Sequence, residues 1–155
     1  MILVIGYGNT LRGDDGVGQH IARCLDVSLY SESVKVEACH QLTPELVEAV
    51  SEADLVVFVD AAETGRAGEI HTSTVEPEIL SGAFTHTISP GGLLAAAYDL
   101  YGVRPRGLLI SITGAQFNYS ESLSPDVEAA AREVIKRIYR LIGTHTVAHE
   151  LGDGE

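Results

Sequence analysis

The chain has 155 residues, 45% of them hydrophobic, with 22 acidic against 10 basic side chains and a formal charge of -12 at pH 7. This is the size of one ordinary domain with a single core, and the composition is globular rather than disordered. Scattered basic residues under a strong negative charge argue against a nucleic-acid partner, and no run approaches the roughly 18 apolar residues of a membrane helix.

The first strand is the apolar run ILVIG from Ile2, continuous enough to be buried on both faces. The segment DDGVGQHIARCLD follows with Val17, Ile21, Cys24 and Leu25 at helical spacing, so Cys24 is expected inside. VKVEAC alternates and reads as a second strand. TPELVEAVSEAD reads as a helix with Thr43 as N-cap and Pro44 at its first position. LVVFVDAA is the clearest central strand, and GEIHTSTV, polar on alternate positions, reads as an antiparallel edge strand. SPGGLLAAAYDLYG is bracketed as a helix by Ser89-Pro90 and Gly102. RGLLISITG is another buried strand. SPDVEAAAREVIKRIYRLIG is the longest helix, capped by Ser124 and expected to close at Gly143. Residues 144–155 have little to bury and are expected to form a flexible tail behind a single domain spanning 1–143.

The order β-α-β-α-β-β-α-β-α predicts an α/β fold, a three-layer αβα sandwich on a mostly parallel twisted sheet. In such sheets ligands bind beyond the carboxyl ends of the strands, where strand order reverses. The polar side chains there are Asn9, Asp14 and Asp15; Glu37, Cys39 and His40; Asp60; His86 in the loop before the third helix; and Gln116 and Asn118. Asp60 stands out because it ends a run of five apolar residues, and a carboxylate carried there by a buried strand needs a partner or a cation. The plain alternatives are that Asp60 caps a turn and that Asp15 serves a helix dipole. Carboxylates and imidazoles together suit a borderline divalent ion such as nickel or zinc. A dinucleotide site is a poor fit: GYGNTL has Leu11 where the third glycine belongs, and Asp14 and Asp15 would oppose a pyrophosphate.

At these residues the sequence resembles a known family. ILVIGYGNTLRGDDGVG with LVVFVDA, supported by THTISPGGLLAAAYDLYG and GAQFNYSESLSP, is similar to the hydrogenase maturation endopeptidases, which trim the C-terminus of the nickel-iron hydrogenase large subunit. The resemblance covers about residues 1 to 142. It implies a metal-dependent, aspartyl endopeptidase-like hydrolase whose cleft uses Asp15, Asp60 and a histidine both as metal ligands and as the catalytic set. The histidine is assigned to His86; in better-known members it follows the turn, where this chain has Gly91. A second departure is EACHQLTPEL, which brings His40 forward as an alternative or additional ligand. Asn9, Asp14, His40 and Gln41 are expected to contact the substrate.

The resemblance further implies that the metal is nickel carried by the hydrogenase large-subunit precursor, with cadmium or zinc able to replace it in vitro. A monomer is expected. With no basic leader before the first strand, so is the cytoplasm. The alternative from a different class is a non-catalytic, metal-dependent binding module or chaperone for a metalloprotein precursor.

Overall fold

The computed structural model describes residues 1–30, 32–79 and 88–152. Among them the chain forms β1 (Ile2–Tyr7), α1 (Val17–Cys24), β2 (Val34–Cys39), α2 (Val47–Ser51), β3 (Leu55–Ala62), β4 (Ile70–Val75), α3 (Pro90–Tyr101), β5 (Arg106–Thr113) and α4 (Pro125–Gly152). The strands make one sheet in the order β2-β1-β3-β5-β4, parallel throughout except for β4, which runs antiparallel to β5 at the edge. The expected three-layer α/β architecture is therefore present. Connections leave β1 in one direction to β2 and pass to its other side at β3, so the switch in strand order lies between β1 and β3.

The continuous apolar runs are explained by two cores, one on each face. Val4, Val57, Val59 and Ile112 pack with Val17, Ile21, Val134 and Ile138 of α1 and α4. Leu3, Ile5 and Phe58 pack with Val47, Val50, Leu93 and Ala97 of α2 and α3. Side chains alternate between faces along a strand, so a central strand covered on both sides must be apolar at every position. Each fully buried side chain of this size contributes roughly 1.5–3 kcal/mol. Helix α1 lies hard against the strand ends: a β-carbon on Gly18 would stand 2.4 Å from the Val59 carbonyl oxygen and 2.5 Å from that of Tyr7.

Local details differ from the sequence reading. The first helix begins at Val17, after a 3-10 turn over Gly13–Gly16. Cys24 is exposed rather than buried, because it shares a solvent-facing stripe with His20 four residues earlier. Thr43 has the extended backbone of an N-cap but its side chain makes no capping bond, and the segment divides into a 3-10 turn (Pro44–Leu46) and the short α2. The third helix matches expectation: Ser89 accepts a hydrogen bond from Gly92 N at 3.0 Å, and Gly102 closes the helix with φ +69°. Gly143 does not stop α4, which continues to Gly152. A glycine inside a helix costs only about 1 kcal/mol, no proline follows, and the hydroxyls of Thr144 and Thr146 donate to the carbonyls of Arg140 and Ile142. Among the described residues no helix is long and apolar enough to cross a membrane.

Candidate active site

The carboxyl ends of β1 and β3 carry the groups of interest. After Tyr7 the chain reverses at Gly8, which has φ +140° and leaves no room for a side chain: a β-carbon there would lie 2.0 Å from the Asp15 carbonyl oxygen. Gln19 of α1 donates from Nε2 to the Gly8 carbonyl at 2.8 Å in a buried bond, locking the turn to the helix. Asn9 accepts from Leu11 N at 2.9 Å through its side-chain oxygen, and its own N–H donates to Asp15 Oδ2 at 2.8 Å. The glycine-rich turn thus grips a carboxylate of its own chain where other such turns grip a phosphate. Asp15 remains partly exposed, with the Arg12 guanidinium 4.0 Å away.

Its neighbour Asp14 has the opposite fate. It is fully buried, and its carboxylate accepts hydrogen bonds from Ala115 N (2.7 Å), Gln116 N (3.0 Å), Ser124 N (2.7 Å) and the Ser124 hydroxyl (2.8 Å). Burial alone would push its pKa up, but these donors, Ser124 foremost, hold it below the ordinary aspartate value. Asp14 ties the 3-10 turn to the loop after β5 and to the start of α4. It has no free surface for a ligand, which corrects its assignment as a substrate contact. Gln116 belongs to the same junction: its carbonyl accepts from Asp14 N at 3.0 Å, and its side chain lies over Gly13.

Asp60 follows Val59, the last fully buried residue of β3, and sits in register with Ser111 of β5. Its Oδ1 accepts from Ala61 N at 2.7 Å. Burial raises its pKa to about 6; the Ala61 N–H and the Tyr7 hydroxyl, a donor to the carboxylate, oppose the rise, and the charge of Asp15 adds to it. Tyr7 itself is pushed upward by burial first and by Asp60 second. Its partner across the β1–β2 register is Cys39, and Tyr7 and Cys39 pack against the same core as Phe58. Asp60, two residues beyond Phe58, shares that face. The Cys39 thiol is also raised, by burial and then by Glu37.

Of the residues singled out in the sequence, the structure brings Asp15 and Asp60 close enough to couple electrostatically. Asn9 is the backbone partner of Asp15. His40 and Gln41 are exposed just beyond β2, two strands from Asp60 in the sheet order. His86 lies outside the described residues. Among the described residues no group of three or more His, Cys, Asp or Glu side chains is placed to hold a metal. Two half-buried carboxylates that repel one another are nonetheless a donor set for a hard or borderline cation, because a cation removes both the repulsion and the desolvation penalty. Tyr7 was missed in the sequence; only the β1–β3 register, with Gly6 opposite Val59, sets it beside Asp60. A cavity of about 920 Å³ lies elsewhere, at the amino ends of β3 and β5, lined by Leu55, Leu94, Tyr98 and Leu108.

Comparison with solved structures places this arrangement in a known fold. A [NiFe] hydrogenase maturation protease, HycI, from Thermococcus kodakarensis superposes with a TM-score of 0.74 at 23% identity, covering 92% of each chain. A hydrogenase 2 maturation peptidase from a Thaumarchaeota archaeon gives 0.68 at 25% identity, over 92% of this chain and 97% of that one. The hydrogenase maturating endopeptidase HybD from E. coli gives 0.69 at 22% identity, covering 93% of each. No family model and no curated protein matches the chain. The shared architecture is the fold of the hydrogenase maturation proteases, over nearly the whole length of both partners.

Proposed function

We propose that this chain, which has the fold of the hydrogenase maturation proteases, is itself an endopeptidase that removes the C-terminal extension from a nickel-loaded hydrogenase large-subunit precursor. The observation that carries the reading is the placement of Asp15, held by the Asn9 N–H at 2.8 Å, and of Asp60, at the carboxyl end of β3, beside the switch in strand order between β1 and β3. Fold alone would not assign an activity. A carboxylate pair held at that point by a dedicated glycine turn and a tyrosine supplies the chemistry the fold leaves open.

In this reading the ion arrives with the substrate. Asp15, oriented by the Asn9 amide, and Asp60, oriented by Ala61 N and the Tyr7 hydroxyl, supply oxygen ligands to nickel bound in the precursor. His86 and His40 are the candidates for a nitrogen ligand. A metal ion so placed polarises the scissile carbonyl or activates the attacking water. Asp60, with its pKa raised to about 6, can exchange a proton near neutrality when no cation occupies the site. Asn9, His40 and Gln41 line the approach from the β1 and β2 ends, and the protein acts in the cytoplasm as a monomer.

The test is incubation with nickel-loaded precursor, followed by mass analysis of the precursor's C-terminus. The wild type should truncate it, and Asp60→Ala and Asp15→Ala should each slow cleavage by about 100-fold or more. His86→Ala and His40→Ala identify the nitrogen ligand by which of them loses activity. Stable binding without truncation would replace the protease reading with that of a metal-dependent binding module.

A further inference from the structure

The two edges of the sheet are unequally protected. β2 carries Lys35 and Glu37 within its strand, charges of the kind that discourage a further strand from pairing. β4, the opposite edge, reads IHTSTV: β-branched residues and hydroxyls with no lysine, glutamate, aspartate or proline. His71, Thr72, Ser73 and Thr74 are exposed in succession, so both faces of the strand meet solvent. The Thr113 N–H donates to the Glu69 carbonyl at 2.9 Å. Residues in step with Glu69, namely His71, Ser73 and Val75, therefore direct their backbone groups to β5, and Ile70, Thr72 and Thr74 turn theirs outward. Among the described residues no strand pairs with that outer edge.

The ends of the strand decide what fits there. Glu69 precedes it and Glu76 and Glu78 follow it, all exposed, on a chain of net charge -12 at pH 7. Glu69 accepts from Arg66 N at 3.2 Å and lies 3.7 Å from the His71 imidazole, and Glu78 accepts from the Ser89 hydroxyl at 2.7 Å. Glu76 has no ion pair among the described residues. A second copy paired antiparallel through this edge, centred on Thr72, would bring Glu69 of one chain beside Glu76 of the other at both ends, and like charges there oppose the pairing. We propose that the outer edge of β4 is a strand-addition site for an extended partner segment with a lysine or arginine near each end. Backbone hydrogen bonds to Ile70, Thr72 and Thr74 hold the segment, and Glu69 and Glu76, roughly 24 Å apart along an extended chain, select its charge. The edge shares no residue with Asp15 or Asp60, and the pairing does not depend on whether the chain is a protease.

The probe is an acetylated and amidated peptide of about eight residues, alternating threonine and valine between two terminal lysines; its control carries glutamate in place of both lysines. Residue-resolved amide hydrogen exchange on the full chain reads the pairing. At about ten times its Kd the lysine peptide should slow exchange at Thr72 and Thr74 by about 10-fold, as 1 + [L]/Kd requires, while the glutamate peptide at the same concentration leaves them unchanged. Glu76→Lys should weaken the lysine peptide by about 2- to 5-fold. Thr72→Pro deletes an N–H that the β5 ladder does not use, so the variant should keep the protection of β5 and lose the peptide. N-methylation of the peptide on alternate residues tests the same bonds without touching the protein, and should abolish the protection in one of its two frames. Absence of protection at Thr72 and Thr74, equal protection by the two peptides, or protection that survives N-methylation in both frames overturns the proposal. So does protection that grows with protein concentration in the absence of peptide, which would assign the edge to a second copy.

Discussion

At the amino end of β3, Asp54 meets the N-terminal ammonium of Met1, with the His145 ring nitrogen 3.8 Å away. At the carboxyl end of the same strand, Asp60 meets a tyrosine hydroxyl, one backbone N–H and the charge of a second carboxylate. The N-terminal hydrogen bond lowers the Asp54 pKa, whereas burial raises that of Asp60 to about 6. One end is matched by a cation belonging to the fold. The other has no cationic partner among the described residues and is held by a hydroxyl and a backbone N–H alone, so desolvation is left to favour its neutral form.

The sharpest control on this contrast is Asp14, a carboxylate at the carboxyl end whose hydrogen bonds are all met from within. Asp14→Ala would leave the buried N–H groups of Ala115, Gln116 and Ser124 without their acceptor, so urea unfolding should show a loss of about 3–5 kcal/mol. A loss below about 1 kcal/mol would remove Asp14 from its role as a junction.

Asp60→Asn should act in the reverse direction. Between the ordinary aspartate value of 3.8 and about 6 the native state holds more protons than the unfolded chain, so stability falls as pH rises through that window. The asparagine variant should therefore be more stable than the wild type above neutrality, by on the order of 2 kcal/mol after allowance for partial exposure, and indistinguishable from it at about pH 3. Adding nickel should narrow the gap by stabilising the wild type. An Asp60→Asn variant that is less stable at high pH would show that the carboxylate is paired after all.

Asp54→Ala should have the smallest effect, under about 1 kcal/mol, since its ion pair is largely exposed. Here the sign is the familiar one: a lowered folded-state pKa contributes stability above the unfolded value, lost as pH falls through the folded one. Thermal unfolding across that range, with and without high salt, measures it; an effect as large as that of Asp14→Ala would erase the distinction between the two ends.

The fold was legible because its strands announce themselves. Ile2–Ile5 and Leu55–Val59 are apolar at every position, as two-sided burial demands, and the caps at Ser89 and Gly102 are local chemistry that does not depend on the rest of the chain. What misled was local chemistry that tertiary contacts overrode. Cys24 was read as buried because small thiols usually are. Gly143 was read as a stop, yet α4 runs on past it and carries His145 toward Asp54 at the sheet's amino end. Asp15 was assigned to the metal and Asp14 to the substrate, and nothing in GDDG says that Asp14 turns inward.

The sequence by itself determined the order of elements, the strand ends at which polar side chains emerge, and the resemblance that drew attention to Asp15 and Asp60. These follow from periodicity and local residue chemistry, which act over a few positions. Only the tertiary structure decided that Asp14 is spent on Ser124, 110 residues away, that Tyr7 stands beside Asp60, and that Asp15 raises the pKa of Asp60. Those are contacts between strands and loops distant in the chain. Their energies depend on register and burial, quantities that exist only once the sheet has formed.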